Sequence, residues 1–308
     1  MLKRLFKKIK TDVYLVKRLF ESGEGKYFFS YCKNRYFGSF LAARFPKYEG
    51  GHIDEDFEVH VLCQRAMLWP LVVCLRSFLH HSGLCPRIIV HIDDFDEGSI
   101  ALLENKFSNV RVFRWDEATK AIDKIPDISD KIKKIRFGPN ILATKLTDDY
   151  LLSKSKYVMV IGSDVLFYSK PSEIIDFVGG RSGYDAIGSY DLHDMPILID
   201  EEFKKRLKIN EQGLNHLNSD LIIFDKTKML HHWFTEYFDH ILDPENYFVD
   251  SAGFSVLYAR LKWKFLEHDR YRIKGDVDHA TVAKHFTGPR RWQLYSWGID
   301  LARKNMSL

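Results

Sequence analysis

The chain has 308 residues, 45% hydrophobic and 29% charged, enough to bury one large core, and the length alone allows one or two domains. A net charge of +4 argues against a general nucleic-acid binder, and no run of about 18 apolar residues is present to cross a bilayer. Cys32, Cys63, Cys74 and Cys85 lack CxxC spacing, which argues against a disulfide framework and for reduced structural thiols in a cytoplasmic setting.

Residues 1–52 read as an N-terminal appendage and 53–308 as a single domain. In the opening segment Leu2, Leu5, Phe6, Ile9, Val13, Val16 and Phe20 recur at helical spacing, with Lys3, Arg4, Lys7, Lys8, Lys10, Lys17 and Arg18 around them. Two readings stay open. One is an interfacial helix drawn to an anionic membrane surface; the other is a helix whose apolar stripe packs on the domain while its lysines are solvated.

After Gly50-Gly51 the pattern alternates. Strands are predicted over 58–63, 87–92, 110–115 and 157–167, and helices over 67–81, 97–107 and 140–152. Further strands are expected over 186–190 and 221–224, with helices over 229–240 and 252–261. Continuous apolar strands joined by helical crossovers predict an α/β fold, a Rossmann-like, mainly parallel sheet with helices on both faces. Ligands in such sheets sit beyond the carboxyl ends of the strands, which singles out Gln64, Asp93, Asp94, Asp164 and Asp191. The sequence contains no GxGxxG, GxxxxGK[ST], HExxH or GxSxG, so several common enzyme classes lose support.

The most informative segment is KYVMVIGSDVLFYSKPSEI. A carboxylate inside so apolar a run is costly unless it is paired or bound to a cation, so Asp164 needs a partner; a capping role ahead of the helix after Pro171 is the plainer alternative. The second segment is KHFTGPRRW, from Lys284 to Trp292.

Together these segments resemble the family 8 glycosyltransferases, which have the GT-A fold and include bacterial lipopolysaccharide sugar transferases and glycogenins. That family ends the corresponding strand on D-x-D before a hydrophobic run, and carries a C-terminal H-[FY]-x-G-x-x-K-P-W. Here Gly162-Ser163-Asp164 keeps the second aspartate only, and the C-terminal element is one residue shorter, with arginines near the lysine position. The resemblance implies a nucleotide-sugar transferase acting with retention of configuration, on a UDP-sugar donor and a glycan or lipid-linked acceptor, with no role for nucleic acid.

On this resemblance Asp164 and His285 would hold Mn²⁺ or Mg²⁺ on the donor diphosphate, Ser163 and Gly288 would lie beside it, and Arg290 or Arg291 would face it. Lys145 and Gln64 would contact the donor. Asp191 would bind its sugar, and Asp250-Ser251 would correspond to a D-Q pair near the anomeric carbon. Asn218-Ser219-Asp220 is similar to the family's N-[AS]-G, with Asp for Gly. Each has an ordinary reading: a solvated helix face for Lys145, a turn for Asp191, an Asx-turn for Asn218 and an N-cap for Asp250.

Because Gly162 removes one carboxylate, a metal-independent site stays open, in which Arg290, Arg291, Lys284 and Lys145 neutralise the diphosphate directly. The competing readings are a catalytically silent GT-A-like binding module and a nucleotidyltransferase. The latter expects a Gly-rich basic loop after the first strand, which VHVLCQRAM lacks.

Overall fold

The computed structural model describes residues 2–92, 95–126 and 128–308, with side chains from residue 9 onward, so Asp93 and Asp94 lie outside the described residues. Among the described residues ten strands are present: β1 (Asp54–Cys63), β2 (Pro86–Ile92), β3 (Val110–Phe113), β4 (Tyr157–Ile161), β5 (Val165–Phe167), β6 (Ala186–Tyr190), β7 (Leu217–Asp225), β8 (Trp263–Phe265), β9 (Tyr271–Arg272) and β10 (Ala283–His285). Seven form one sheet in the order β3-β2-β1-β4-β7-β6-β8, and β7 alone runs against the others. A second sheet has the order β5-β10-β9.

Parallel neighbours need crossovers, and the helices Leu68–Ser82 and Glu97–Lys106 provide them between β1, β2 and β3. Both faces of the sheet are covered because alternate residues of each central strand enter different cores. Val59, Val61, Met159 and Ile161 pack with the helix Leu68–Ser82 on one face. Val158, Val160, Ile222 and Phe224 pack with the helices Ile141–Leu151 and Val249–Tyr258 on the other.

Three expectations are corrected. The strand over 157–167 is two strands in two sheets, broken where the Val165 N–H turns back to the Gly162 carbonyl at 3.1 Å. The strand at Val110 stops at Phe113, because Trp115 opens the next helix. The helix expected over 252–261 is Val249–Tyr258 with Phe248 as its N-cap, so Asp250 is a buried residue of the first turn and not the cap.

The N-terminal helix Leu2–Glu21 also presents a different stripe. Leu15 and Leu19 are buried and Val16 is half-buried, while Ile9, Val13 and Phe20 face out. The residues that follow share a core with the C-terminus. Tyr31, Ala42 and Phe45 pack with Trp292, Tyr295 and Ile299, and Asn34 Nδ2 donates to the Tyr295 carbonyl at 2.9 Å. The two buried cores come from distant parts of the chain, and β4 and β7 lie between them. Among the described residues no disulfide forms, and no helix is long and apolar enough to cross a membrane.

Candidate functional site

The site starts from a steric fact at the end of β4. In the antiparallel register Ile161 pairs with Leu221, and one step on the Gly162 N–H donates to the Asp220 carbonyl at 2.8 Å. A Cβ at position 162 would lie 3.0 Å from Asp220 Cβ and Cγ and 3.0 Å from Asp164 Oδ1. The Asp220 side chain fills the room that a side chain at 162 would need. A carboxylate therefore does stand beside Asp164, supplied by Asp220 on the neighbouring strand and not by position 162.

His285 arrives through the small sheet. It pairs with Val165, and the Phe286 N–H donates to the Asp164 carbonyl at 3.0 Å. Its Nε2 then lies 3.4 Å from Asp164 Oδ1 and 3.4 Å from Asp220 Oδ2. The far oxygens are held by cations: Arg291 Nε donates to Asp164 Oδ2 at 3.0 Å and Lys145 Nζ to Asp220 Oδ1 at 2.7 Å. Each carboxylate thus keeps one oxygen turned toward the imidazole.

Lys145 is buried and also lies 3.0 Å from Asp250 Oδ2. Ser219 Oγ donates to that same oxygen at 2.8 Å, and Ser251 Oγ donates to Ser219 Oγ at 2.9 Å. Three carboxylates face two permanent cations, which leaves one negative charge for His285 or a bound cation to balance.

The titration shifts follow from this count. Burial opposes a charged His285, but Asp164 and Asp220 outweigh it and raise the imidazole above its ordinary value. Burial likewise opposes a charged Asp164, yet Arg291 and His285 hold its carboxyl well below the usual range. A depressed carboxylate contributes stability above the unfolded value, near 4, and loses it as pH falls through the folded value. Asp164→Asn should therefore flatten the acid limb of the stability curve below about pH 4. Urea midpoints at pH 3 and pH 7 that fall in parallel for both proteins would show that Asp164 is not ionised in the folded state.

The other expected residues divide into two groups. Asp191, after β6, accepts the Asn218 amide on Oδ2 and the His193 N–H on Oδ1, both at 3.0 Å, and Asn218 Oδ1 accepts the Asp220 N–H at 2.9 Å. Asn218 therefore ties Asp191 to the cluster. Ser163 is buried between Gly162 and Asp164. A Cβ at Gly288 would meet no atom within 4 Å, so the space beside it is open, and Arg290 Nη1 donates to Thr287 Oγ1 at 3.0 Å.

Two residues stand apart. Gln64 is exposed past the end of β1, where its carbonyl accepts the Met67 N–H at 2.8 Å, and it does not join the network. Lys284 alternates with His285 along β10 and so points to the other side, where its ammonium donates to the Gly275 carbonyl. It is not one of the cations facing the cluster, which corrects that expectation. Sequence reasoning missed Asp220, read as a departure from N-[AS]-G, and Tyr247, an exposed ring within electrostatic range of Asp220, Asp250, Asp164 and Arg291. A detectable signal existed for Asp220: a Gly where an Asp was expected and an Asp where a Gly was expected, on segments that pair.

The donor set of two carboxylates and one imidazole is of the chemical type that Mn²⁺ or Mg²⁺ takes, though its atoms do not all lie within 4.8 Å of one another. Among the described residues one trio alone has its ligand atoms all within 4.8 Å of one another, and it lies elsewhere, in His60, His91 and Asp149.

No family model matches the chain, and no curated protein matches it by sequence. Solved structures do align with it. The bifunctional glycosyltransferase WbbM, in its apo form, aligns over 85% of this chain and 51% of its own at 13% identity, with a TM-score of 0.53. The galactosyltransferase LgtC, in complex with donor and acceptor sugar analogues, aligns over 81% and 95% at 15% identity, with a TM-score of 0.46. Core-mannan synthase A from Aspergillus fumigatus, in its Mn/GDP form, aligns over 83% and 89% at 13% identity, with a TM-score of 0.49. The chain has the GT-A glycosyltransferase fold.

Proposed function

We propose that the chain is a glycosyltransferase that moves a sugar from a nucleotide-diphosphate donor, a UDP-sugar first, to a hydroxyl of a glycan or lipid-linked acceptor. The observation that supports this best is the convergence of Asp164, Asp220 and His285, flanked by Arg291 and Lys145, where β4 ends. A departing nucleoside diphosphate gains negative charge, and a site that stabilises it must present positive charge that is already oriented. A divalent cation held by Asp164, Asp220 and His285 would act there as a Lewis acid on the diphosphate.

The chain's own residues do the rest. Arg291 is half-exposed and its Nε is anchored on Asp164, so the rest of its guanidinium can meet a phosphate oxygen. Asp191, held by Asn218, and Asp250, held by Lys145, suit hydrogen bonds to donor sugar hydroxyls. Front-side attack by the acceptor hydroxyl, with retention, is the stereochemical course of this reading, and product NMR showing inversion would remove it.

Thermal-shift titration with UDP, GDP and their sugar conjugates, each with and without Mn²⁺, is the direct test, because specific ligands stabilise the fold by mass action. Asp164→Asn should abolish the Mn²⁺-dependent part of the shift and lower transfer by ~10²-fold or more. If no nucleotide shifts the transition and no donor is consumed, the reading is wrong. Turnover that survives EDTA would instead place the neutralising charge on Arg291 and Lys145.

A second surface belongs to the same reading. Exposed Ile9, Val13 and Phe20, with Lys10, Lys17 and Arg18 nearby, suit an anionic membrane that carries a lipid-linked acceptor. Val13→Asp should reduce co-sedimentation with phosphatidylserine vesicles; equal sedimentation of both proteins would leave the helix as packing alone.

A further inference from the structure

A second cluster lies inside the sheet, in residues the proposed reaction does not use. His60 on β1 and His91 on β2 point to the same face, since His60 pairs with Ile89, two residues before His91. Asp149, on the helix Ile141–Leu151, meets them from above. His60 and Asp149 are 0% exposed and His91 3%. His60 Nδ1 and His91 Nε2 are 3.0 Å apart, and Asp149 Oδ1 lies 3.7 Å from the first and 3.5 Å from the second.

Without an ion this arrangement does not satisfy itself. Only one of the two facing nitrogens can carry a proton, and it points at the other ring, so neither imidazole donates to Asp149. Both Asp149 oxygens, His60 Nε2 and His91 Nδ1 are buried without a hydrogen-bond partner. Four such atoms in one spot are costly in a native core, because each loses its hydration with no return. The nearby cations do not relieve this: Arg136 is bidentate on Asp148 at 2.7 and 2.9 Å, and Lys145, which acts electrostatically on Asp149, is committed to Asp220 and Asp250 at 2.7 and 3.0 Å.

We infer that His60, His91 and Asp149 form a structural binding site for a tetrahedral divalent transition-metal ion of the Zn²⁺ class. The three atoms make a triangle with edges of 3.0, 3.5 and 3.7 Å. A tetrahedral ion with bonds of about 2.0–2.1 Å spaces its ligand atoms roughly 3.3–3.4 Å apart, the size of this face. Both oxygens of one carboxylate lie too close together to occupy two tetrahedral vertices, so the fourth position would be taken by a water. With both inner nitrogens on the ion, both outer nitrogens must carry protons.

Each outer nitrogen then faces a carboxylate. His60 Nε2 is 3.6 Å from Glu58 Oε2, and His91 Nδ1 is 3.9 Å from Asp148 Oδ2. Carboxylates behind the ligating histidines fix tautomer and ring orientation at metal sites. Two are present here, and each has its own anchor: Arg136 for Asp148, and the Lys154 and Ser155 N–H groups at 2.6 and 3.2 Å for Glu58. Glu58 also lines a groove of about 840 Å³ on the side where β1 and β2 begin. The site shares no residue with the Asp164 cluster.

The test is metal analysis of the full chain, expressed with Zn²⁺ and gel-filtered in metal-free buffer. About one Zn²⁺ per chain is expected in the wild type and in Asp164→Asn, and loss of that ion in Asp149→Asn. Folded wild type without zinc, or Asp149→Asn that keeps it, overturns the site. If Asp149→Asn fails to fold, wild type refolded with Co²⁺ decides: tetrahedral visible bands support the site, and their absence overturns it. Asp164→Asn separates the two centres, since loss of zinc there would assign the ion to the Asp164 cluster.

Discussion

Exchanging the residues at 162 and 220 should restore what each single change destroys. Gly162→Asp alone drives a Cβ to 3.0 Å from the Asp220 side chain and crowds a third carboxylate against Asp164, so a loss of ~1–3 kcal/mol is expected from overpacking before the charge repulsion is counted. Asp220→Gly alone frees the space but leaves Lys145 with Asp250 only, and takes one carboxylate from His285. The double exchange returns one carboxylate beside Asp164 without the clash. The backbone at 162 is not in the left-handed region, so an aspartate is sterically admissible once Asp220 is gone.

The readout is a double-mutant cycle. A favourable coupling of ~0.5–3 kcal/mol in urea unfolding is expected for two residues in direct contact. The Mn²⁺-dependent shift with nucleotide should vanish in Asp220→Gly and return in the exchange. Additive losses in both measurements would mean that Asp220 is not a positional substitute for the missing aspartate.

Replacing Lys145 by methionine should be among the most damaging single changes in the cluster. Its ammonium is buried and sits 2.7 Å from Asp220 and 3.0 Å from Asp250; burial would lower its pKa, but the two carboxylates raise it above the ordinary lysine range. Removing one partner of a buried charged network strands the other, at ~3–5 kcal/mol. The sign of the pH dependence follows. Stranded carboxylates have folded pKa values raised above the unfolded ones, so their penalty is present at neutral pH and relieved as pH falls. The deficit of Lys145→Met relative to wild type should narrow toward about pH 4–5, where those groups take up protons. A deficit constant from pH 7 to pH 4 would show that lost packing dominates.

The sheet was legible because its strands are largely apolar runs of the right length separated by helical periods. The break at Gly162 was not, because the run VMVIGSDVLF is apolar on both sides of it, and only pairing of Val165–Phe167 with Ala283–His285 separates two strands. The site was legible where it is local to one segment, as with Asp164 and His285. It was hidden where a side chain from one strand occupies the room left by another. Asp220 escaped a search of strand ends for a further reason: β7 runs against its neighbours, so its first residues, not its last, reach the ligand edge. Burial of His60 and His91 was hidden too, since a histidine inside an apolar strand reads the same whether it meets a lipid-like core or a carboxylate from a distant helix.

The helix Ile141–Leu151 carries Lys145 and Asp149 four positions apart, one residue for each centre. At 3.6 residues per turn, a single insertion or deletion between them swings one away from its target by roughly 100°. No local adjustment of a buried helix restores both. The four-residue interval is therefore a ruler: sequences that preserve K-x-x-x-D here while diverging elsewhere would be recognisable as carrying both centres, and an inserted alanine at 147 should leave at most one of them intact.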